Sequence, residues 1–264
     1  MKKKRLLFCV AAFYGIIVLL NYKACGQTQI TSKPSPTPNQ FTGQQWRPRI
    51  ETEFTNSFES FGKQTLIERP VSRTELTFER KLRSGQLWIS AETVTSLDNR
   101  KPWEGYLNVG FGVKKQIDKY ALSGSAKFFA SQERQFGVMD VEINRAFALA
   151  EEVSIEPFSK FSYVIPLETG RTSINQGSVW QNGARFNGSV GSTELEVTGQ
   201  LIADSGAIYA GRRLTGNCEA VWLFSLGRVK FGPKVGLSHY FAGFSSPHSQ
   251  KKNQLNFGVL FRVG

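Results

Sequence analysis

The amino-acid sequence predicts an all-β fold: an antiparallel, up-and-down transmembrane β-barrel of about twelve strands, within a range of roughly ten to fourteen. Three observations lead to this prediction. Apolar and polar residues alternate with a period of two through most of residues 46–264. Several alternating runs continue for about ten residues, the length of a tilted transmembrane strand. The polar positions of these runs carry many charges, which suits a hydrated interior better than a packed one.

Turn-forming residues separate the alternating runs. Twelve runs are clear: 50–58, 75–79, 87–92, 107–114, 120–128, 140–144, 153–163, 180–190, 195–201, 220–226, 229–238 and 255–263. A weaker stretch, 207–214, predicts either a short strand or a loop. The turn signals include Gly191-Ser192, Thr215-Gly216-Asn217 and Gly227.

The first 26 residues have the pattern of a secretory signal peptide. A basic start from Lys2 to Arg5 precedes a largely apolar run from Leu6 to Leu20, and small residues follow at Ala24 and Gly26. The apolar run is shorter than the roughly 20 residues that a membrane-spanning helix needs. We therefore expect a signal peptide over residues 1–26, with an uncleaved anchor as the alternative.

Residues 27–45 are polar and rich in proline, which predicts an extended, semi-rigid linker or else a disordered leader. The barrel domain is expected over residues 46–264. The formal net charge of +12 falls to +7 when the five cations of the predicted signal peptide are removed. No basic block remains, so we expect no nucleic-acid partner. Cys218 would then be the single cysteine, which excludes an intramolecular disulfide.

The charged positions of the strands are candidates for the lining of a lumen. In a membrane barrel the apolar row contacts lipid and the polar row faces inward. The candidate lumen residues are Glu51, Glu53, Glu75, Glu79, Glu92, Lys127, Glu142, Lys160, Arg185, Lys230, Lys234 and Arg262. Because both signs are well represented, these groups should pair with one another. Two interpretations stay open: a structural salt-bridge network that fills a narrow barrel, and an ion-selective constriction.

The last strand resembles the C-terminal targeting segment of bacterial outer-membrane β-barrel proteins. Its apolar residues occupy every second position: Leu255, Phe257, Val259, Phe261 and Val263. It departs from that pattern at Gly264, where a terminal aromatic residue is usual. The resemblance implies the bacterial outer membrane as the location, outer-membrane lipid as a partner and assembly by the barrel-assembly machinery. It indicates the superclass and no particular family.

No catalytic, cofactor-binding or metal-binding residues are predicted. Ser238 and His239 suggest an esterase, but the His-x-Ser-Asn pattern of outer-membrane lipid A deacylases is missing. Two histidines and one cysteine are too few for a zinc site. The glycines of Gly110-Phe111-Gly112 lie inside a predicted strand, where glycine eases curvature or close approach. We therefore expect no cofactor.

The sequence thus favours a small porin-like channel for small solutes, or a structural barrel with a charged lumen. Two alternatives stay open. One is an outer-membrane lipid or peptide hydrolase built on a barrel. The other is an exported soluble β-sandwich or lipid-binding barrel. The direction in which Phe54, Leu107, Val109 and Phe257 point distinguishes the soluble alternative from a membrane barrel.

Overall fold

The computed structural model of the chain describes most of the predicted barrel domain. The described residues are 45–56, 58–59, 65–67, 70–82, 84–97, 105–131, 135–167, 175–207, 213–241 and 253–264. The predicted signal peptide, and the predicted linker apart from Gln45, lie outside them. Within the described part every regular element is a β-strand. That part contains no helix long and apolar enough to cross a membrane.

Twelve long strands form the barrel. They are β1 (Arg47–Thr55), β4 (Val71–Leu82), β5 (Gly85–Ser96), β6 (Gly105–Ile117), β7 (Tyr120–Ala130), β8 (Gln135–Asn144), β10 (Val153–Pro166), β11 (Gly177–Val190), β12 (Thr193–Asp204), β13 (Arg213–Leu226), β14 (Val229–Tyr240) and β15 (Asn253–Val263). Three shorter strands accompany them. The hairpin β2 (Phe58–Glu59) and β3 (Thr65–Ile67) follows β1, and β9 (Phe147–Ala150) pairs with β10.

The sheet closes because its first and last strands pair with each other. Ile50 of β1 lies opposite Val263 of β15, and Thr55 lies opposite Gly258. All other long strands pair antiparallel with their neighbours along the chain, and β10 pairs with β11 to complete the circle. The fold is therefore a closed, up-and-down, twelve-stranded antiparallel barrel, as the alternation in the sequence predicts.

Tight turns join the strands at one end of the barrel, the turn end. Gly191 and Gly227 start two of these turns with φ angles of 60° and 61°, and Asp118 takes the same place between β6 and β7 with φ 52°. Positive φ at this position matches the twist of the flanking strands, and glycine adopts it without strain. The predicted turns at Gly191-Ser192 and Gly227 are confirmed. Most of the longer connections are at the opposite end, the loop end, although residues 145–152, which include β9, join β8 to β10 at the turn end.

The predicted turn at Thr215-Gly216-Asn217 is wrong, because these residues lie inside β13. Thr215 and Asn217 are polar residues of the enclosed face, and both are buried. The amide of Asn217 donates a hydrogen bond to Ser238 Oγ of β14 at 3.0 Å. Inward-facing polar residues can therefore give part of a strand the same composition as a turn. The weaker stretch 207–214 contributes its last two residues to the same strand.

The barrel is apolar outside and polar inside. Phe54 is 44% exposed and Phe257 is 59% exposed, and Leu107 and Val109 are exposed as well. Glu53, which follows the opposite face of β1, is only 5% exposed. A soluble barrel or sandwich would pack these large apolar side chains together. Their outward orientation instead gives the surface that contact with acyl chains requires, and it excludes the soluble alternative.

Near the loop end, part of the enclosed face is apolar. Phe129, Phe136, Val138, Val164, Val179, Ile202 and Ala207 form one buried cluster. The rings of Phe129 and Phe136 stack at 4.7 Å between centroids. Apolar residues on the inner face interrupt the alternation there. This explains why the clear alternating run of β8 begins only at residue 140, although the strand begins at Gln135.

Charge on the outer face should destabilise the barrel according to its depth in the membrane. Val235 lies in the middle of β14 and is 51% exposed, whereas Val190 ends β11 and is 78% exposed. We expect Val235→Arg to lower the free energy of unfolding by about 2–4 kcal/mol and Val190→Arg by about 0–1 kcal/mol. Urea unfolding in lipid vesicles measures both. Equal losses would contradict the assignment of the outer face.

Candidate functional site

The enclosed face carries a belt of charged side chains around the middle of the barrel. The alternation of each strand places all twelve predicted lumen residues on this inward-facing side. Most of them are brought together in two ion-pair clusters on different parts of the wall. Glu79 instead accepts a hydrogen bond from Gln86 Nε2 at 2.8 Å, and Lys230 pairs with Glu194.

The first cluster is centred on Arg73 of β4. Its guanidinium lies 2.7 Å from the carboxylates of Glu75 and Glu92, 3.3 Å from Glu51 and 3.6 Å from Glu53. Register explains this convergence, because Glu51, Glu75 and Glu92 are direct cross-strand neighbours on β1, β4 and β5. Three carboxylates in a row require a cation, and a single arginine between them supplies several hydrogen bonds at once.

Two further cations extend this first cluster toward β12 and β13. Arg262 donates to Glu51 at 3.0 Å and to Glu196 at 2.8 Å. Lys234 lies 3.0 Å from Glu53 and 3.4 Å from Glu219. Two of these pairs join strands that are not hydrogen-bonded to each other: Arg262 of β15 with Glu196 of β12, and Lys234 of β14 with Glu53 of β1. These ion pairs therefore reach over one or two intervening strands and connect strands that share no backbone hydrogen bonds.

The second cluster lies on the wall formed by β7, β8, β10 and β11. Asp140 faces Lys160 at 3.2 Å and Lys127 at 4.0 Å, and it accepts a hydrogen bond from Ser125 at 3.2 Å. Arg185 binds both oxygens of Glu142, at 2.8 Å and 2.9 Å, and contacts Glu156 at 2.6 Å. Both signs are thus paired locally, as the mixed composition of the polar rows predicts.

The charged belt keeps surface that water can reach. The side chains of Lys160, Lys127 and Arg185 remain 17%, 28% and 33% exposed although a closed barrel surrounds them. A charge that is removed from water costs several kcal/mol unless its pairing is excellent. Access to water lowers that cost and leaves these groups available to a solute.

Two aromatic side chains lie on the enclosed face within the charged belt, Phe158 and Trp88, and the sequence pattern alone indicated neither. Phe158 of β10 is only 7% exposed, with Arg185 Cζ 4.2 Å from the centroid of its ring. Trp88 of β5 is on the enclosed face, opposite Gly112 of β6. A Cβ atom at Gly112 would lie 2.5 Å from the indole Cζ2, and one at Gly110 would lie 3.4 Å from Cζ3. The two glycines therefore leave the space that the indole occupies. The sequence predicts that glycines inside a strand allow a neighbour to approach closely, and at Gly110 and Gly112 that neighbour is the indole of Trp88.

Ser238 and His239 do not form a catalytic pair. Ser238 is buried on the enclosed face, whereas His239 is exposed on the outer face, with its Nδ1 2.6 Å from Asn253 Oδ1. Cys218 is likewise exposed on the outer face. Within the described residues no group of three or more acidic, histidine or cysteine side chains could hold a metal ion.

The two-oxygen contact of Arg185 with Glu142 should contribute measurably to stability. We expect a double-mutant cycle of Arg185→Met and Glu142→Gln to give a coupling energy of about 1–3 kcal/mol, because the contact is charged and bidentate. The Lys230–Glu194 pair is the matched control. Its side chains are 37% and 31% exposed, and we expect about 0.5 kcal/mol there. Urea unfolding in vesicles measures both cycles, and equal couplings would contradict the distinction.

Comparison with known proteins places the fold. No protein-family model and no curated protein matches the sequence. Among solved structures, the NanC porin is similar at 8% identity and a TM-score of 0.51, over 83% of this chain and 100% of that chain. An outer membrane channel from Pseudomonas putida F1 is similar at 9% identity and 0.50, over 88% and 99%. LpxR from Salmonella typhimurium is similar at 8% identity and 0.50, over 81% and 99%. The chain thus has the fold of bacterial outer-membrane β-barrels.

Proposed function

We propose that this protein is a porin-like channel of the bacterial outer membrane that lets small polar solutes cross through its charged lumen. The observation that carries the proposal is the solvent-accessible surface that the charged belt retains inside the closed barrel. Lys127 and Arg185 are enclosed by the barrel and engaged in ion pairs, yet 28% and 33% of their side-chain surfaces remain accessible to water. A purely structural salt-bridge network would be expected to exclude water from its charges.

The outer surface and the resemblance of the last strand support the proposed location. Exposed residues such as Phe54 and Phe257 offer an apolar exterior to lipid. Export by the signal peptide at residues 1–26 and assembly by the barrel-assembly machinery belong to the same proposal. Two of the similar structures are described as a porin and an outer membrane channel, which agrees with this role.

Reconstitution into planar lipid bilayers tests the proposal. Purified protein whose folding is verified by heat-modifiable gel migration should insert and give stepwise increases in current. The current should scale with salt concentration, because hydrated ions pass through a water-filled lumen. A correctly folded barrel that inserts into the bilayer without conducting would contradict the channel and favour a structural role.

If ions pass through the belt, its charges should set ion selectivity. A unit charge about 10 Å from an ion in water contributes roughly 0.4 kcal/mol, or about a factor of two in a permeability ratio. We therefore expect Lys160→Gln to raise the ratio of cation to anion permeability about twofold, and Glu75→Gln to lower it by a similar factor. The reversal potential in a KCl gradient measures both.

Arg228→Gln is the control for this measurement, because Arg228 is exposed in the turn after β13 and lies outside the belt. It should leave the reversal potential nearly unchanged. If Lys160→Gln and Glu75→Gln conduct with unaltered selectivity, ions do not pass close to these groups. That result would contradict the role of the belt in ion selectivity.

A further inference from the structure

The strongest feature that ion pairing does not explain is the indole of Trp88. Its neighbours along the enclosed face of β5 are Gln86, Ser90 and Glu92, which are all polar. Most large apolar side chains of this barrel lie on the lipid-facing surface, and those that face inward, such as Phe136, are packed in buried clusters. Hydrophobic burial alone gives no reason for a partly exposed indole within a charged belt.

The wall beside Trp88 is shaped to receive the ring. Gly110 and Gly112 are the inward-facing positions of β6 next to it, and neither has a side chain that could occupy the space. A Cβ at Gly112 would lie 2.5 Å from Cζ2 and 2.6 Å from Cε2 of the indole. Distances this short mean that any larger residue would displace the ring. The indole is thus held against bare backbone, and its remaining exposed surface faces the lumen.

Polar groups of both signs surround this ring. Glu79 is the direct cross-strand neighbour of Trp88 and is hydrogen-bonded to Gln86. The ammonium of Lys127 lies over the ring, with Nζ 6.0 Å from the centroid, which is the outer limit of a cation–π contact. Ser125 is the cross-strand neighbour of Gly112 and donates to Asp140. The ring is therefore bordered by hydrogen-bond donors and acceptors, with no single sign of charge on all sides.

We propose that Trp88 is a stacking platform in the lumen for the ring of an uncharged saccharide. The proposal rests on the channel function proposed above and names a solute class for it. A pyranose presents weakly positive C–H groups on one face, which suit the negative face of an indole, and hydroxyl groups around its rim. The hydroxyls can both donate and accept, so they can engage Glu79 and Lys127 alike. A charged solute of either sign would meet one group of its own sign and one of the opposite sign here, so this position gives neither sign an advantage.

Block of the ionic current by cellobiose tests the proposal, with the acyclic polyol sorbitol as the comparison. Wild-type channels in planar bilayers should show a current reduction that saturates with cellobiose concentration. Sorbitol has no ring face and should give no saturation. Trp88→Leu keeps an apolar side chain at the position but removes the aromatic face. It should raise the half-saturating concentration about tenfold.

Trp88→Phe retains an aromatic ring and should stay within about threefold of the wild type. Gly112→Ala should weaken the block as Trp88→Leu does, because its new Cβ displaces the indole. The matched glycine control is Gly199→Ala, since no atom lies within 4 Å of a Cβ at that position. The matched tryptophan control is Trp180→Leu on the outer face, where the side chain is 49% exposed. Cellobiose should block both control variants at the same concentrations as it blocks the wild type.

The outcomes separate this proposal from the channel on which it rests. Absence of conductance from folded wild-type protein overturns the channel and the platform together. Conductance without saturable block by cellobiose overturns the platform alone. Equal block of wild type and Trp88→Leu also overturns it, and shows that the indole only fills space.

Discussion

Hydrogen-bonded closure of β1 on β15 is the constraint on which the rest of the structure depends. A bilayer core offers no partner to an unpaired backbone N–H or C=O group, so a sheet that spans it can have no free edge. The register that sets Ile50 against Val263 and Thr55 against Gly258 removes both edges at once. Closure then divides the side chains of every strand into two environments. Apolar residues cover the outside, and charged residues are enclosed.

Enclosure explains the chemistry of the interior. A charge inside a barrel requires a counter-charge, water or both, and here the charges are paired and part of their surface remains accessible. Arg73 lies among four carboxylates, and Arg185 holds two oxygens of Glu142 across the intervening strand β10. The same groups stabilise the wall and form the surface that a passing solute would contact. Trp88 adds an aromatic face to this surface because two glycines of β6 leave room for it.

Period-two alternation predicts the fold class, the number of barrel strands and the inward direction of the charged residues, because each of these depends only on local pattern. It fails where the inner face changes character. Phe136 and Val138 are apolar but face inward, so the first half of β8 does not show the alternation that predicts a strand. Thr215 to Asn217 are polar inside β13 and resemble a turn. The pairings within the belt, and the place of Trp88 over Gly112, depend on strand register, which the pattern of one strand does not contain.

A spin-label scan along β15 tests the central claim most directly, that apolar side chains contact lipid while polar ones surround water. In a Cys218→Ser background, single labels at positions 255 to 262 would be examined in vesicles with oxygen and with a water-soluble nickel chelate. Oxygen collisions should peak at positions 255, 257, 259 and 261, and nickel collisions at 256, 258 and 262. Position 260 is excluded from the nickel set because Leu260 is packed against Val221 and Leu223. Collision rates that alternate in the opposite phase, or that do not alternate with a period of two for either agent, would contradict the account.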